Sequence, residues 1–187
     1  MYKLIARFFF KLTGWTIRGG IPPEIKKCVL IAAPHTSSWD FIYGSFAWTL
    51  FGLKVNYLIK KEWFKFPFGM FFRALGGIPV DRGRATNFVD AMVDLVNRKE
   101  KIIVLITPEG TRKKVDKWKT GFYHLARKSN IPVFLGKINY QAKEAFIGPS
   151  FIPTGDMEKD FEMIREFYKD ATGKNPEYFD WRNVKAE

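Results

Sequence analysis

Apolar residues recur in two rhythms along this chain. At its start Leu4, Ile5, Phe8, Phe9 and Leu12 follow helical spacing, while Lys3, Arg7 and Lys11 step by four along another face. The spacing predicts an amphipathic helix over residues 1–15. Basic residues opposite Phe and Leu suit a helix lying in a lipid interface; the pattern equally suits a first helix packed on the core. After Gly19-Gly20 and Pro22-Pro23 the rhythm alternates between short strands and helices. Residues 28–33, 55–59 and 102–106 read as strands, and 131–138 as a fourth, because each is a short β-branched or apolar run. Residues 39–50 and 118–129 read as helices. Thr86 or Asn87 is expected to cap a helix carrying Phe88, Met92, Leu95 and Val96. Asp156 is expected to cap a last helix with Met157, Phe161, Ile164 and Tyr168 inward and Gly173 at its end. Alternating strands and helices imply an α/β fold: a mixed, largely parallel central sheet flanked by helices, with the N-terminal helix added.

At 187 residues the chain suits a single domain. Residues 1–20 form the interfacial helix in this reading, 24–150 the core and 151–187 a C-terminal helical segment. No run approaches the roughly 18 apolar residues of a spanning helix. Lys3, Arg7 and Lys11 also interrupt the N-terminal apolar stretch, so it makes a poor signal peptide. Cys28 is the single cysteine, which excludes an internal disulfide and a Cys-rich metal site.

Charge changes the picture. The net charge is +12, and aromatics make up 17% of the chain. Residues 156–187 hold 9 acids and 6 bases, which leaves the rest at +15. An anionic partner follows: nucleic acid, an anionic membrane surface or a phosphorylated substrate. Trp63, Phe64, Phe66, Phe68, Met70, Phe71 and Phe72 crowd one stretch among Lys60, Lys61, Lys65 and Arg73. That stretch suits a lipid surface or an acyl channel, or plain core packing. Stacking of single-stranded nucleic acid is the alternative from another class, but no recognised nucleic-acid motif accompanies it.

Candidate chemistry gathers at predicted strand ends, where α/β proteins place ligands. His35 follows the first strand, and Asp40 lies five positions on. An imidazole base with a carboxylate to orient it can activate a hydroxyl or a water. Thr107-Pro108-Glu109-Gly110-Thr111-Arg112 follows another strand, and Arg112 offers a planar fork for phosphate among Lys113, Lys114, Lys117 and Lys119. Glu109 is placed to hold Arg112 or to touch a substrate hydroxyl. Gly76-Gly77-Ile78-Pro79-Val80-Asp81-Arg82 brings one more arginine to the end of a short apolar segment.

These motifs resemble the glycerolipid acyltransferases, whose familiar member converts lysophosphatidic acid to phosphatidic acid. The resemblance covers residues 28–135 in the family's motif order: H-x-x-x-x-D from His35 to Asp40, Gly77 to Arg82, Pro108-Glu109-Gly110-Thr111-Arg112, and Ile131-Pro132-Val133. Departures are Pro34 where members often have Asn, Pro79 for an aromatic, and Lys113 for Ser. The resemblance implies His35 as general base and Asp40 as its orienting carboxylate. It implies Arg82, Glu109, Gly110, Thr111 and Arg112 around the acceptor's phosphate and glycerol, and Pro132 on the strand lining the acyl site. It also implies a lysophospholipid acceptor, most simply 1-acylglycerol 3-phosphate, and an acyl-CoA or acyl-carrier-protein thioester as co-substrate. No bound cofactor, metal or nucleic acid is expected. The enzyme would sit peripherally on the cytoplasmic side of a membrane. A lyso-aminolipid acceptor is the variant in which Arg112 matters little.

Overall fold

The computed structural model, which describes residues 2–65, 68–74, 76–80 and 85–187, begins with α1 (Tyr2–Thr13) and β1 (Thr16–Gly19). It continues through β2 (Lys27–Ala33), α2 (Trp39–Phe51), β3 (Val55–Lys60), α3 (Phe68–Ala74), β4 (Gly77–Val80), α4 (Ala85–Arg98) and β5 (Ile102–Ile106). The remainder is α5 (Gly121–Ser129), β6 (Val133–Asn139), β7 (Glu144–Phe151) and α6 (Met157–Tyr168), with short 3-10 turns at Lys61–Phe64, Pro176–Tyr178 and Trp181–Asn183. The strands form a seven-stranded sheet of order β1-β7-β6-β2-β5-β3-β4. All neighbours pair in parallel except β6 and β7. The fold is therefore a mixed, mostly parallel α/β sheet flanked by helices, as the alternating pattern implies.

The central strands bury both faces, and alternate residues separate the two layers. Val29, Ile31, Val104, Val133 and Leu135 face one core with Phe122, Phe161, Ile164 and Tyr168 of α5 and α6. Cys28, Leu30, Ile103 and Phe134 face the other, with Phe10, Trp15, Ala47 and Trp48. This second layer, made by α1 and α2, carries the site.

Several boundaries differ from the sequence expectation for local reasons. Residues 16–19 form a fully exposed edge strand beside β7, so the N-terminal unit is a helix followed by a strand. Trp118 does not start α5. Its N–H donates to the Lys185 carbonyl, its own carbonyl accepts from Glu187, and it is buried against Tyr168. Thr86 and Asn87 lie within the first turn of α4 and do not precede it. Asp156 does cap α6, accepting from the Lys159 N–H at 3.2 Å. Gly173 lies beyond that helix, which stops at Tyr168. A glycine is needed there because an added Cβ would sit 2.6 Å from Thr36 Oγ1. Of the aromatic stretch, Phe66 lies outside the described residues, while Phe64 and Phe72 pack at 5.9 Å and Met70 is exposed.

Helix α1 packs one face on the core and leaves another exposed. Ala6 and Phe10 are buried, and Phe9 packs on Tyr43 and Phe46 of α2. Leu4, Ile5, Phe8 and Leu12 are exposed. Among the described residues, no helix is long and apolar enough to cross a membrane.

Candidate active site

Three adjacent strands, β5, β2 and β6, end on the same side of the sheet, and register sets their loops beside one another. Ile31 pairs with Ile106 on one side, and Ala33 with Lys137 on the other. The loop after β2 brings His35 and leads into α2, whose first turn contains Asp40. Asp40 folds back over that loop. Its Oδ2 accepts from the Thr36 and Ser37 N–H groups, both at 2.8 Å, and lies 3.1 Å from His35 Nδ1. An oxygen already receiving two N–H bonds is the acceptor, so His35 Nδ1 carries the proton and Nε2 is left as the basic nitrogen. Asp40 Oδ1 accepts from the Tyr140 hydroxyl at 2.8 Å. The carboxylate is nearly buried while the imidazole is a quarter exposed, with side-chain exposures of 6% and 26%.

The loop after β5 meets this loop twice. Glu109 Oε1 accepts from the His35 backbone N–H at 2.9 Å. Glu109 thus turns inward and neither grips Arg112 nor faces solvent; its other oxygen is buried without a partner among the described residues. Burial pushes the Glu109 carboxyl up to about 8, against the opposing effect of the His35 N–H. Arg112 is exposed and donates from Nη1 to the hydroxyl of Ser38, the residue ahead of α2. Thr111 is exposed, and its hydroxyl accepts from the Lys113 N–H. Gly110 holds φ at +67°, and a Cβ there would meet Lys119 at 3.1 Å, so the sharp turn requires glycine. Pro132 immediately precedes β6, and its carbonyl accepts from the Val29 N–H. Arg82 lies outside the described residues, as do Asp81, Gly83 and Arg84.

From His35 and Asp40 a groove of about 1570 Å³ runs between α2 and strands β3 and β5. Gly44, Trp48 and Thr49 line it from α2, and Val55, Tyr57, Ile103 and Leu105 from the sheet. Arg112 and Thr111 contribute at the His35 end, and Lys54 and Lys101 where the strands begin. Among the described residues, no group of three or more His, Cys, Asp or Glu side chains could hold a metal ion. His124 is exposed on α5.

The arrangement sets an imidazole held by a carboxylate beside a long, mainly apolar groove and an exposed guanidinium. Residues 16–134, which include His35, Asp40, Arg112 and the groove residues named above, match the family model described as Acyltransferase. The chain belongs to the acyltransferase family. No curated protein sequence matches this acyltransferase significantly. Among solved structures it is similar to the 1-acyl-sn-glycerophosphate (LPA) acyltransferase PlsC of Thermotoga maritima. That likeness has 20% identity and a TM-score of 0.57, and covers 90% of this chain and 75% of that one.

The acyltransferase also places residues at the site that carry no motif. Tyr140 is one. Asn175 is another: its N–H donates to Thr36 Oγ1 at 3.1 Å and its side-chain amide to the Thr36 carbonyl at 2.8 Å. Both lie beyond residue 134, and neither has a spacing that announces it, because the fold brings them to the loop from far along the chain.

Proposed function

We propose that this acyltransferase moves a fatty-acyl group from an acyl thioester to the hydroxyl of 1-acylglycerol 3-phosphate, giving phosphatidic acid. The observation that carries this reading is the His35–Asp40 pair opening on a long apolar groove, with the Arg112 guanidinium at the same end. In this reading His35 Nε2 takes the acceptor's proton as the hydroxyl oxygen attacks the thioester carbonyl. The carbon–oxygen bond forms, the carbon–sulfur bond breaks, and the leaving thiolate recovers the proton from the imidazolium. Asp40 holds the ring and balances its positive charge in between. Direct attack requires no acyl-enzyme.

Arg112 binds the acceptor phosphate, for which a guanidinium fork is well matched, and Arg82 is assigned to the same phosphate. Thr111 and Gly110 shape the loop around the glycerol. Glu109 serves the acceptor site from behind, by holding the His35 backbone. Pro132 leads into β6, the strand assigned to the acyl site. The groove takes the acyl chain of the donor, an acyl-CoA or an acyl-carrier protein. The Thermotoga maritima protein is a 1-acyl-sn-glycerophosphate acyltransferase, and its likeness to this chain supports the choice of acceptor.

The enzyme works from the surface of an anionic, cytoplasmic leaflet. Exposed Leu4, Ile5, Phe8 and Leu12 beside Lys3, Arg7 and Lys11 support this placement.

The deciding assay is transfer from long-chain acyl-CoA, or acyl-carrier protein, to lysophosphatidic acid, compared with a lyso-aminolipid. His35→Ala should lower kcat by about 10²–10⁴-fold, the usual worth of general-base assistance. Arg112→Ala should raise KM for the acceptor. Activity surviving in His35→Ala overturns the mechanism, and transfer to the aminolipid alone overturns the acceptor.

A further inference from the structure

We propose that Tyr140 is a positioning residue of the acid–base pair, its hydroxyl locking the Asp40 carboxylate in the orientation that presents Oδ2 to the His35 ring. The inference rests on reading His35 as the base, and extends the pair into a region outside the matched family segment.

The division of donors on Asp40 is the starting point. Oδ2 serves His35 Nδ1 and the Thr36 and Ser37 N–H groups, whereas Oδ1 accepts from the Tyr140 hydroxyl. With Asp40 only 6% exposed, water is a poor substitute for that donor. A carboxylate held at both oxygens cannot swing, and the imidazole bonded to it is held in one tautomer and one plane. This matters most when the ring takes a proton, because its charge must then be met without rearrangement.

Tyr140 is itself built into place. It follows directly on β6, the strand beside β2. Its ring stands edge-on to Trp15 at 5.1 Å and to Tyr43 at 5.5 Å. Its N–H donates to the Thr172 carbonyl at 2.9 Å. Three residues beyond Thr172, Asn175 grips Thr36 by two hydrogen bonds. The segment after α6 therefore holds the catalytic loop at Thr36 and also holds the tyrosine that holds Asp40. Burial first, and the bond to Asp40 second, raise the Tyr140 hydroxyl well above its ordinary value, which keeps it a donor at any working pH.

The test uses the chain as it stands, with its two histidines, His35 and His124. Ring nitrogens are observed by ¹⁵N NMR, with His124→Gln to assign the signals. Wild type should show His35 with Nδ1 protonated and Nε2 bare. Tyr140→Phe, which keeps the packed ring and should melt close to wild type, should turn this into a mixture of tautomers. Its kcat should fall about tenfold, the loss expected when a hydrogen bond to a charged group is removed, with KM values within about twofold. Tyr43→Phe removes a hydroxyl from the same aromatic cluster without touching Asp40, and should leave both readouts as in wild type. An unchanged His35 ring pattern in Tyr140→Phe overturns the proposal whatever kcat does, as does an equal change in Tyr43→Phe. The NMR readout needs no substrate. If wild type transfers nothing, the proposed reaction falls while the role of Tyr140 is still decided.

Discussion

The backbone N–H of His35 donates to Glu109 Oε1 at 2.9 Å, which ties the loop after β2 to the loop after β5. The carboxyl that receives it is buried, with its second oxygen unpartnered among the described residues, and burial pushes it up from 4.5 to about 8. The folded state thus binds this proton more tightly than the unfolded chain. Its stabilising effect is complete below about pH 4.5 and is lost as pH rises through about 8.

Glu109→Gln keeps an oxygen for the His35 N–H and has no proton to lose. Thermal unfolding from pH 5 to 9 should show wild type losing stability on the order of a few kcal/mol, and the variant staying much flatter. Parallel curves would mean that Glu109 is not protonated in the folded enzyme.

Gly173 makes a close approach that can be tested by adding one methyl group. Its Cβ would stand 2.6 Å from Thr36 Oγ1 and 2.7 Å from Thr36 Cγ2. Gly173→Ala should cost about 1–3 kcal/mol by overpacking and reduce kcat by disturbing the loop that carries His35. Gly121→Ala, where the added Cβ meets nothing within 4 Å, should instead stabilise by about 0.4–1 kcal/mol. Urea unfolding of the two variants gives the comparison.

Cys28 is fully buried in β2, and burial pushes its thiol up to about 12. The thiolate is the reactive form. Folded protein at pH 8 should therefore be nearly inert to a maleimide, while protein in denaturant should label one thiol quickly. Rapid labelling under native conditions would show that β2 opens readily.

On α1 two phenylalanines separated by a single residue face opposite environments. Phe8 is 68% exposed and Phe10 3%. Phe8→Ser together with Leu12→Ser should change stability little, as exposed substitutions usually do, while weakening sedimentation with anionic vesicles. Phe10→Ala should cost about 3–5 kcal/mol. Vesicle binding unaffected by the double change would remove the membrane role of this face.

Strong periodicity makes the central layer legible in the sequence. Strands β2, β3, β5 and β6 and helix α2 lie within one or two residues of their expected ends. The two strands at one sheet edge are not legible, for a physical reason in each case. β1 is four residues long and exposed throughout, so it carries no alternation. β7 contains Gly148 and Pro149, residues that argue against a strand locally. At the site, His35 and Asp40 can be paired on paper because five positions separate them. Tyr140 lies 100 positions from Asp40 and Asn175 139 from Thr36. Such contacts belong to the topology, and no local pattern encodes them. Glu109 is found by its motif, but its inward turn depends on β2 and β5 being neighbours.

The same edge has a consequence for the order in which the molecule can be completed. β1 pairs with β7, and Arg18 meets its carboxylate partner Glu144 126 positions later. Closing so large a loop is the slow, late kind of contact. On the ribosome, α1 can lean against α2 once residue 51 has emerged, but the strand that follows it has no ladder to join until β7 is made. Capture of β1 is therefore a late event, in which a strand made early waits for a partner whose Glu144 follows Arg18 by 126 positions.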